Sequence, residues 1–243
     1  MSYQAVVVGS TGLVGGNVLA ALQAAPSSAA VTAIIRRPLQ TTHSFAKVQA
    51  LVEPESSSWA AKLRDLRPVP DLFISSLGTT RASAGGIANQ RKIDYDLNLE
   101  LAKAAKEAGV KIYVLTSSAG ANASSRIPYS KMRGELEEAV KQLDFEQVVI
   151  LRPGLIVGER EESQPAEAVL RYVAKFAGCI NQAWLKDPWA QDAEVIARAS
   201  VHAGTLALEG KAPPGRAWIV DQKSIIALGR TEWPSFSAGH SPQ

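Results

Sequence analysis

A serine, a tyrosine and an arginine form the pattern in this chain best suited to acid–base chemistry. Ser118 ends the run Thr116-Ser117-Ser118 behind an apolar segment; Tyr129 follows eleven residues later and Arg133 four after that. A serine at a strand's carboxyl end points its hydroxyl into the crevice where α/β sheets bind ligands. Tyr129 and Arg133, spaced i and i+4, share a helix face. A cation near a phenol favours its ionised form, which makes a tyrosine a usable proton donor or acceptor. The serine hydroxyl would orient a carbonyl and hydrogen-bond its developing oxyanion. The alternative is that these are unrelated loop residues.

What precedes them in the chain favours the chemical reading. Val6-Val7-Val8 rises into Gly9-Ser10-Thr11-Gly12-Leu13-Val14-Gly15, which opens onto an alanine- and leucine-rich helical stretch. Strand, glycine turn and helix in that order make a cradle for a dinucleotide pyrophosphate, with first-turn N–H groups and the helix dipole facing the anion. Gly9 permits the tight turn, Gly12 lets the backbone approach the phosphates, and Gly15 lets the helix pack on the strand. Glycines alone also fit a turn in any parallel α/β protein. Here they occupy the first βα turn, and a second strand follows at βαβ distance. With a dinucleotide in place, Tyr129 and Arg133 would both reach its nicotinamide ribose.

Two further segments bear on that ligand. Arg36 and Arg37 end the second strand, where an NAD-preferring site places an acid on the ribose 2′-hydroxyl. Two guanidiniums suit a 2′-phosphate instead, so the expected cofactor is NADP(H); the alternative is a solvated arginine pair. The fourth strand leads into Ser76-Leu77-Gly78-Thr79-Thr80-Arg81, a loop beside the first strand in which Gly78 permits close backbone approach.

The elements that must position these residues follow from periodicity. Apolar runs at Gln4–Val8, Val31–Ile35, Lys47–Val52, Asp71–Ser75, Ile112–Thr116, Gln147–Leu151 and Ala217–Val220 alternate with helical patterns. The helices are expected at Leu13–Ala25, Ser58–Leu66, Ile87–Ala108, Tyr129–Leu143, Ala166–Phe176 and Asp192–Leu208. The expected fold is a Rossmann-like, doubly wound parallel sheet in one domain, residues 1–234. Residues 159–189 break the alternation and read as a small substrate cap, and 235–243 as a disordered tail. Tyr172, Phe176, Ile180, Trp184, Leu185 and Trp189 suggest a cap lining or a membrane-touching face, with ordinary core packing as the alternative.

Composition excludes several classes. At 243 residues and 46% apolar, the chain can bury a sizeable core, and its net charge of +3 is spread without a basic stripe for nucleic acid. One cysteine, Cys179, precludes an internal disulfide framework. His43, His202 and His240 have no metal-ligand spacing, so no metal is expected. A strand beginning at Tyr3 leaves no room for a signal peptide, and no run approaches the ~18 apolar residues of a membrane span.

Ser76-Leu77-Gly78-Thr79-Thr80-Arg81, Ser117-Ser118-Ala119-Gly120-Ala121, Lys131-Met132-Arg133-Gly134-Glu135 and Leu151-Arg152-Pro153-Gly154 together resemble the Tat-interacting-protein-like members of the short-chain dehydrogenase/reductases. Within these the chain is most similar to the fungal branch associated with the mitochondrial outer membrane, from about Gln4 to Glu232. The resemblance implies a single Rossmann-like domain, NADP(H) bound with Pro153 among its contacts, a Ser–Tyr–Lys site of undefined substrate, and peripheral membrane contact. The family motif is Tyr-x-x-x-Lys, and position 133 is Arg. Lys131 does not replace it, standing about 200° round the helix from Tyr129. A guanidinium supplies charge and donors but does not pass a proton on. Two readings follow: an NADP(H)-dependent oxidoreductase of reduced activity on a small carbonyl or alcohol, or a non-catalytic NADP(H)-binding regulator or scaffold. A protein-binding regulator of transcription or transport, as for animal relatives, finds no support in these residues.

Overall fold

The first strand, β1 (Tyr3–Val8), is buried along almost its whole length, which requires a neighbour on each side and a helix layer on each face. Both requirements are met. In the computed structural model, which describes residues 2–39, 45–157 and 190–234, β1 pairs in parallel with β2 (Ser28–Ile35) and with β4 (Leu72–Ser75). Adding β3 (Val48–Val52), β5 (Ile112–Thr116), β6 (Gln147–Leu151) and β9 (Ala217–Val220) gives a seven-stranded sheet of order β3-β2-β1-β4-β5-β6-β9. All pairings are parallel. The order reverses between β1 and β4, so their carboxyl ends open the topological switch point where such sheets bind ligands.

Alternation along the strands splits the core. Val7, Ile74 and Val114 face one layer with Val18 and Leu22 of α1 (Leu13–Ala24) and Ile196 of the long helix Ala193–Leu208. Val6, Val8, Phe73 and Tyr113 face the other, against Leu63 of α2 (Trp59–Arg64), Leu101 of α4 (Asn98–Ala108) and Leu136 of α5 (Pro128–Lys141). Phe73 stacks on Tyr113 with ring centroids 5.2 Å apart. This is the expected Rossmann-like α/β fold, and all seven expected strands form within two or three residues of their expected bounds.

Three features depart from the sequence reading. The helix expected over Ile87–Ala108 is α3 (Ile87–Arg91), a π-turn (Lys92–Leu97) and α4, rather than one regular rod. A short parallel ribbon, β7 (Leu155–Val157) with β8 (Ala190–Asp192), was not expected. Nor was the helix α7 (Gln222–Ile226) with the π-turn Ala227–Thr231, which follow α6, as the helix Ala193–Leu208 is numbered here. The expected cap at 159–189, its helix at Ala166–Phe176 and the tail at 235–243 lie outside the described residues, as do Cys179, His43 and His240.

Candidate functional site

The carboxyl ends of β1, β4 and β5 and the start of α5 enclose a cleft of about 330 Å³, the size of a small-molecule site. Gly12, Leu13 and Val14 form its first wall. The three turn glycines have separable causes. Gly9 has φ +79°, and a Cβ there would stand 2.5 Å from the Ser76 carbonyl oxygen; a Cβ at Gly15 would stand 2.2 Å from the Gly9 oxygen. The fold requires both. A Cβ at Gly12 would meet only the Gly9 oxygen, at 3.2 Å, and Gly12 has ordinary extended backbone. Its other side faces the cleft. Among the described residues no side chain caps α1, so none of them takes up its first-turn donors. Ser10 is buried with its hydroxyl unpartnered among the described residues, and Thr11 is exposed at the tip of the turn. Ser10, like Gly9, Thr11 and Gly15, shapes the turn without lining the cleft.

The second wall is the loop after β4. Ser76, Leu77, Gly78, Thr79 and Thr80 line it. A polar group sequence reasoning missed holds this loop from below. Asp94, on the π-turn, accepts from Thr79 N–H at 2.8 Å, and Gln90 donates to the Thr79 carbonyl at 2.9 Å. Asn98 Nδ2 donates to Leu77 O at 3.3 Å, while its Oδ1 accepts from Ser75 Oγ at 2.6 Å. Asp94, Asn98, Leu101 and Ala105 fall on one helical stripe, so an acid and an amide at i and i+4 on a face that continues apolar was the available signal. Arg36 and Arg37 directly follow β2, exposed, at the edge of the sheet adjoining the glycine turn; they do not line the cleft.

The floor and third wall bring together Thr116, Ser117, Ser118, Tyr129, Arg133 and Pro153. The Ser118 side chain is half-buried and Tyr129 is 38% exposed in the first turn of α5. Arg133 is 2% exposed. Its Nη2 donates to the Thr116 carbonyl, its Nη1 reaches the Asp94 carbonyl at 3.5 Å, and Nη1 lies 3.8 Å from Asp94 Oδ1. Its Nε is buried without a partner among the described residues. The sequence reading placed Arg133 toward a ribose; the structure has it in the cleft floor, tied first to protein oxygens. Lys131 is exposed and pairs with Glu135 at 3.9 Å, away from the cleft. Burial pushes the Asp94 carboxyl up to about 6, against the opposing pull of Arg133 and the Thr79 N–H.

Ser117 and Ser118 are not equivalent. Ser117 Oγ donates to Glu137, a fully buried carboxylate that also accepts from Arg152 Nη2 at 2.5 Å and Nε at 3.2 Å. Ser117 is thereby committed to structure, and Ser118 is the serine left to the cleft. Backbone bonds from Ser117 N to Leu151 O and from Ala119 N to Pro153 O, at 2.7 and 2.8 Å, fix the Ser118 turn against the loop after β6.

Comparison with known proteins gives the family and the fold. The HIM1 family model matches residues 35–183, more than half of the chain. This chain belongs to the HIM1 family. The chain is also similar to the mitochondrial protein fmp52-1 of Aspergillus terreus, 52% identical over 92% of this chain and 97% of its own. The mitochondrial protein fmp-52 of Neurospora crassa is 49% identical over 93% of this chain and 95% of its own. Among solved structures, MoeE5 in complex with UDP-glucose and NAD superposes with a TM-score of 0.65 at 16% identity, covering 90% of this chain and 75% of that one. Bordetella bronchiseptica WbmH in complex with NAD+ gives 0.63 at 15% identity, over 91% and 75%. At such identities the likeness is of fold: this HIM1-family member shares the Rossmann-like α/β architecture of those structures.

Proposed function

We propose that this protein is an NADP(H)-dependent oxidoreductase of the short-chain type, acting on a small carbonyl or alcohol. The observation that carries the reading is that the open glycine turn and the Ser118–Tyr129 pair line one cleft at the switch point of the sheet. The residues present fit the cofactor. Space at Gly12 and the uncapped α1 terminus suit a pyrophosphate, Arg36 and Arg37 suit a 2′-phosphate, and Leu77, Gly78 and Thr79 offer backbone beside it. When bound, a nicotinamide supplies or accepts the hydride. The chain's own residues handle the rest. Ser118 orients the carbonyl oxygen, Tyr129 gives or takes the proton at that oxygen, and Arg133 holds positive charge beneath them without releasing a proton.

The sheet architecture shared with NAD-bound enzymes and the family relatives named mitochondrial support this reading. Within the short-chain type, the Leu77–Arg81 run supports the Tat-interacting-protein-like branch. No helix of the described residues is long and apolar enough to cross a membrane. The relatives named mitochondrial support a mitochondrial address, and the resemblance to the fungal branch supports peripheral attachment to the cytosolic face of the outer membrane. A second reading, a non-catalytic NADP(H) binder, is favoured by the tight engagement of Arg133 by protein oxygens.

Fluorescence titration with NADPH and NADH tests the cofactor assignment. NADPH should bind at least about tenfold more tightly, roughly 1.4 kcal/mol, and Arg36→Ala with Arg37→Ala should abolish the difference. Equal affinities in the unmodified protein would refute it. A carbonyl panel run with NADPH separates the enzyme from the binder.

A further inference from the structure

Asp94 is the one carboxylate that touches two walls of the cleft among the described residues lining it. It is 1% exposed. The π-turn Lys92–Leu97 carries it inward: a π-turn widens the helix locally and swings its side chains relative to a regular rod. From there Oδ2 accepts from Thr79 N–H at 2.8 Å, while Oδ1 lies 3.8 Å from Arg133 Nη1. The loop is shaped to admit it, since a Cβ at Gly78 would stand 3.3 Å from Oδ1. One carboxylate therefore joins the loop after β4 to the guanidinium on α5.

We propose that Asp94 is a positioning residue of this cleft: its negative charge fixes Arg133 and the Leu77–Thr79 loop in one arrangement, and NADP(H) affinity depends on that charge. The inference rests on the reading of the cleft as a nicotinamide dinucleotide site. Its physical basis is that a carboxylate buried for stability alone is poorly placed here. Burial raises this carboxyl from its ordinary 3.8 to about 6, so holding it ionised at neutral pH is unfavourable for the folded state. Among the described residues the charged and titratable groups that face it are few. Arg133 faces it from α5, and Tyr113 of β5 feels the same guanidinium, its phenol pushed up by burial. From the β4 loop it meets the backbone of Gly78 and Thr79, and from its own helix the Asn98 amide donates to its carbonyl at 3.3 Å. With Asp94 neutral, Arg133 keeps only carbonyl partners, and its orientation is no longer set by a counter-charge.

The test uses Asp94→Asn, which keeps the shape and an acceptor for Thr79 N–H but removes the charge. In the full-length protein, the NADPH dissociation constant at about pH 7.5 should rise about tenfold in Asp94→Asn, the scale of one charge-assisted contact. The NADPH 2′-phosphate takes up a proton in the same pH range in both proteins, so the readout is their ratio: the gap between the dissociation constants of Asp94→Asn and the unmodified protein should close toward one as pH falls through about 6. Because Asp94 acts through Arg133, adding Asp94→Asn to Arg133→Gln should produce little further loss. A readout without ligand accompanies these: the Arg133 Nε resonance should shift through the same midpoint in the ligand-free protein and stay fixed in Asp94→Asn. If NADPH binds the unmodified protein and a folded Asp94→Asn with the same affinity and pH profile, or if the two losses add, the positioning role is overturned while the cofactor reading stands. If the unmodified protein binds no NADPH while the Arg133 resonance follows Asp94, the cofactor reading and the affinity claim fail together and only the coupling between the two residues survives. If that resonance is indifferent to pH and to Asp94→Asn, the coupling itself is overturned.

Discussion

A guanidinium and an ammonium at position 133 do different things in the same cleft. Both carry charge toward Tyr129, which stands one helical turn away on the same face of α5. Only the ammonium exchanges its proton readily enough to serve a relay between the tyrosine and water. Arg133→Lys should therefore raise turnover on a carbonyl panel with NADPH while leaving the cofactor dissociation constant within a few fold. Tyr129→Phe should remove turnover and spare binding, because only the hydroxyl is lost. Unchanged turnover in Tyr129→Phe would show that the phenol is not the proton donor. The neighbouring carboxyl makes a prediction about stability. A folded-state value raised from 3.8 to about 6 means the native protein holds this proton more tightly than the unfolded chain does. The resulting stabilisation is fully present below about pH 4 and lost as pH rises through about 6. Asp94→Asn should flatten the fall in urea midpoint between those values and be no less stable than the unmodified protein above them. A steeper fall in the variant would contradict the sign.

At the level of the elements, the turn that opens α1 separates folding from binding by single residues. Gly15 must be glycine because the helix lies against the Gly9 carbonyl, whereas Gly12 has ordinary backbone and an open side toward the cleft. Gly12→Val should leave circular dichroism and thermal midpoint close to the unmodified protein and abolish NADPH binding. Gly15→Val should lower the midpoint sharply or prevent folding, since its Cβ would stand 2.2 Å from backbone oxygen that cannot yield cheaply. Retained binding in a folded Gly12→Val would show that the phosphates lie elsewhere. This turn was legible in the sequence because its signals are local: a β-branched strand, glycines at fixed spacing and a helix follow one another along the chain. The seven sheet strands were legible for the same reason, each an apolar run bounded by turn residues. The π-turn at Lys92–Leu97 was not. Its residues keep a helical pattern, and the irregularity is held by Asn98 and Asp94 reaching the β4 loop, contacts that span up to 23 positions. The Arg133–Asp94 pair spans 39 positions and rests on where α5 and the π-turn meet; a helix-face argument gave Arg133 a direction but no partner. The ribbon of β7 and β8, three residues each, lies below the length at which alternation is visible.

Over the whole molecule, the cleft gathers residues from both sides of the strand-order reversal: the turn after β1, the loop after β4, the end of β5 and the start of α5. These segments are far apart in sequence and meet only in the folded sheet. A ligand that needs all of them binds the native state and not the unfolded chain, so its affinity adds directly to global stability. At a free concentration one hundred times its dissociation constant, NADPH should add about 2.7 kcal/mol. For a chain of 243 residues that corresponds to a rise in thermal midpoint of about 5–10 °C. NADH at the same concentration, if tenfold weaker, should add about 1.4 kcal/mol and raise the midpoint roughly half as far. The ratio of the two shifts thus reports on Arg36 and Arg37 without any knowledge of the substrate, and Arg36→Ala with Arg37→Ala should bring the shifts together. Gly12→Val should show neither shift while melting near the ligand-free midpoint of the unmodified protein. Differential scanning calorimetry on these proteins, with both nucleotides at matched concentration, decides the matter. Equal shifts in the unmodified protein would remove the preference for the 2′-phosphate, and the absence of any shift in a cooperatively melting sample would remove the dinucleotide site itself.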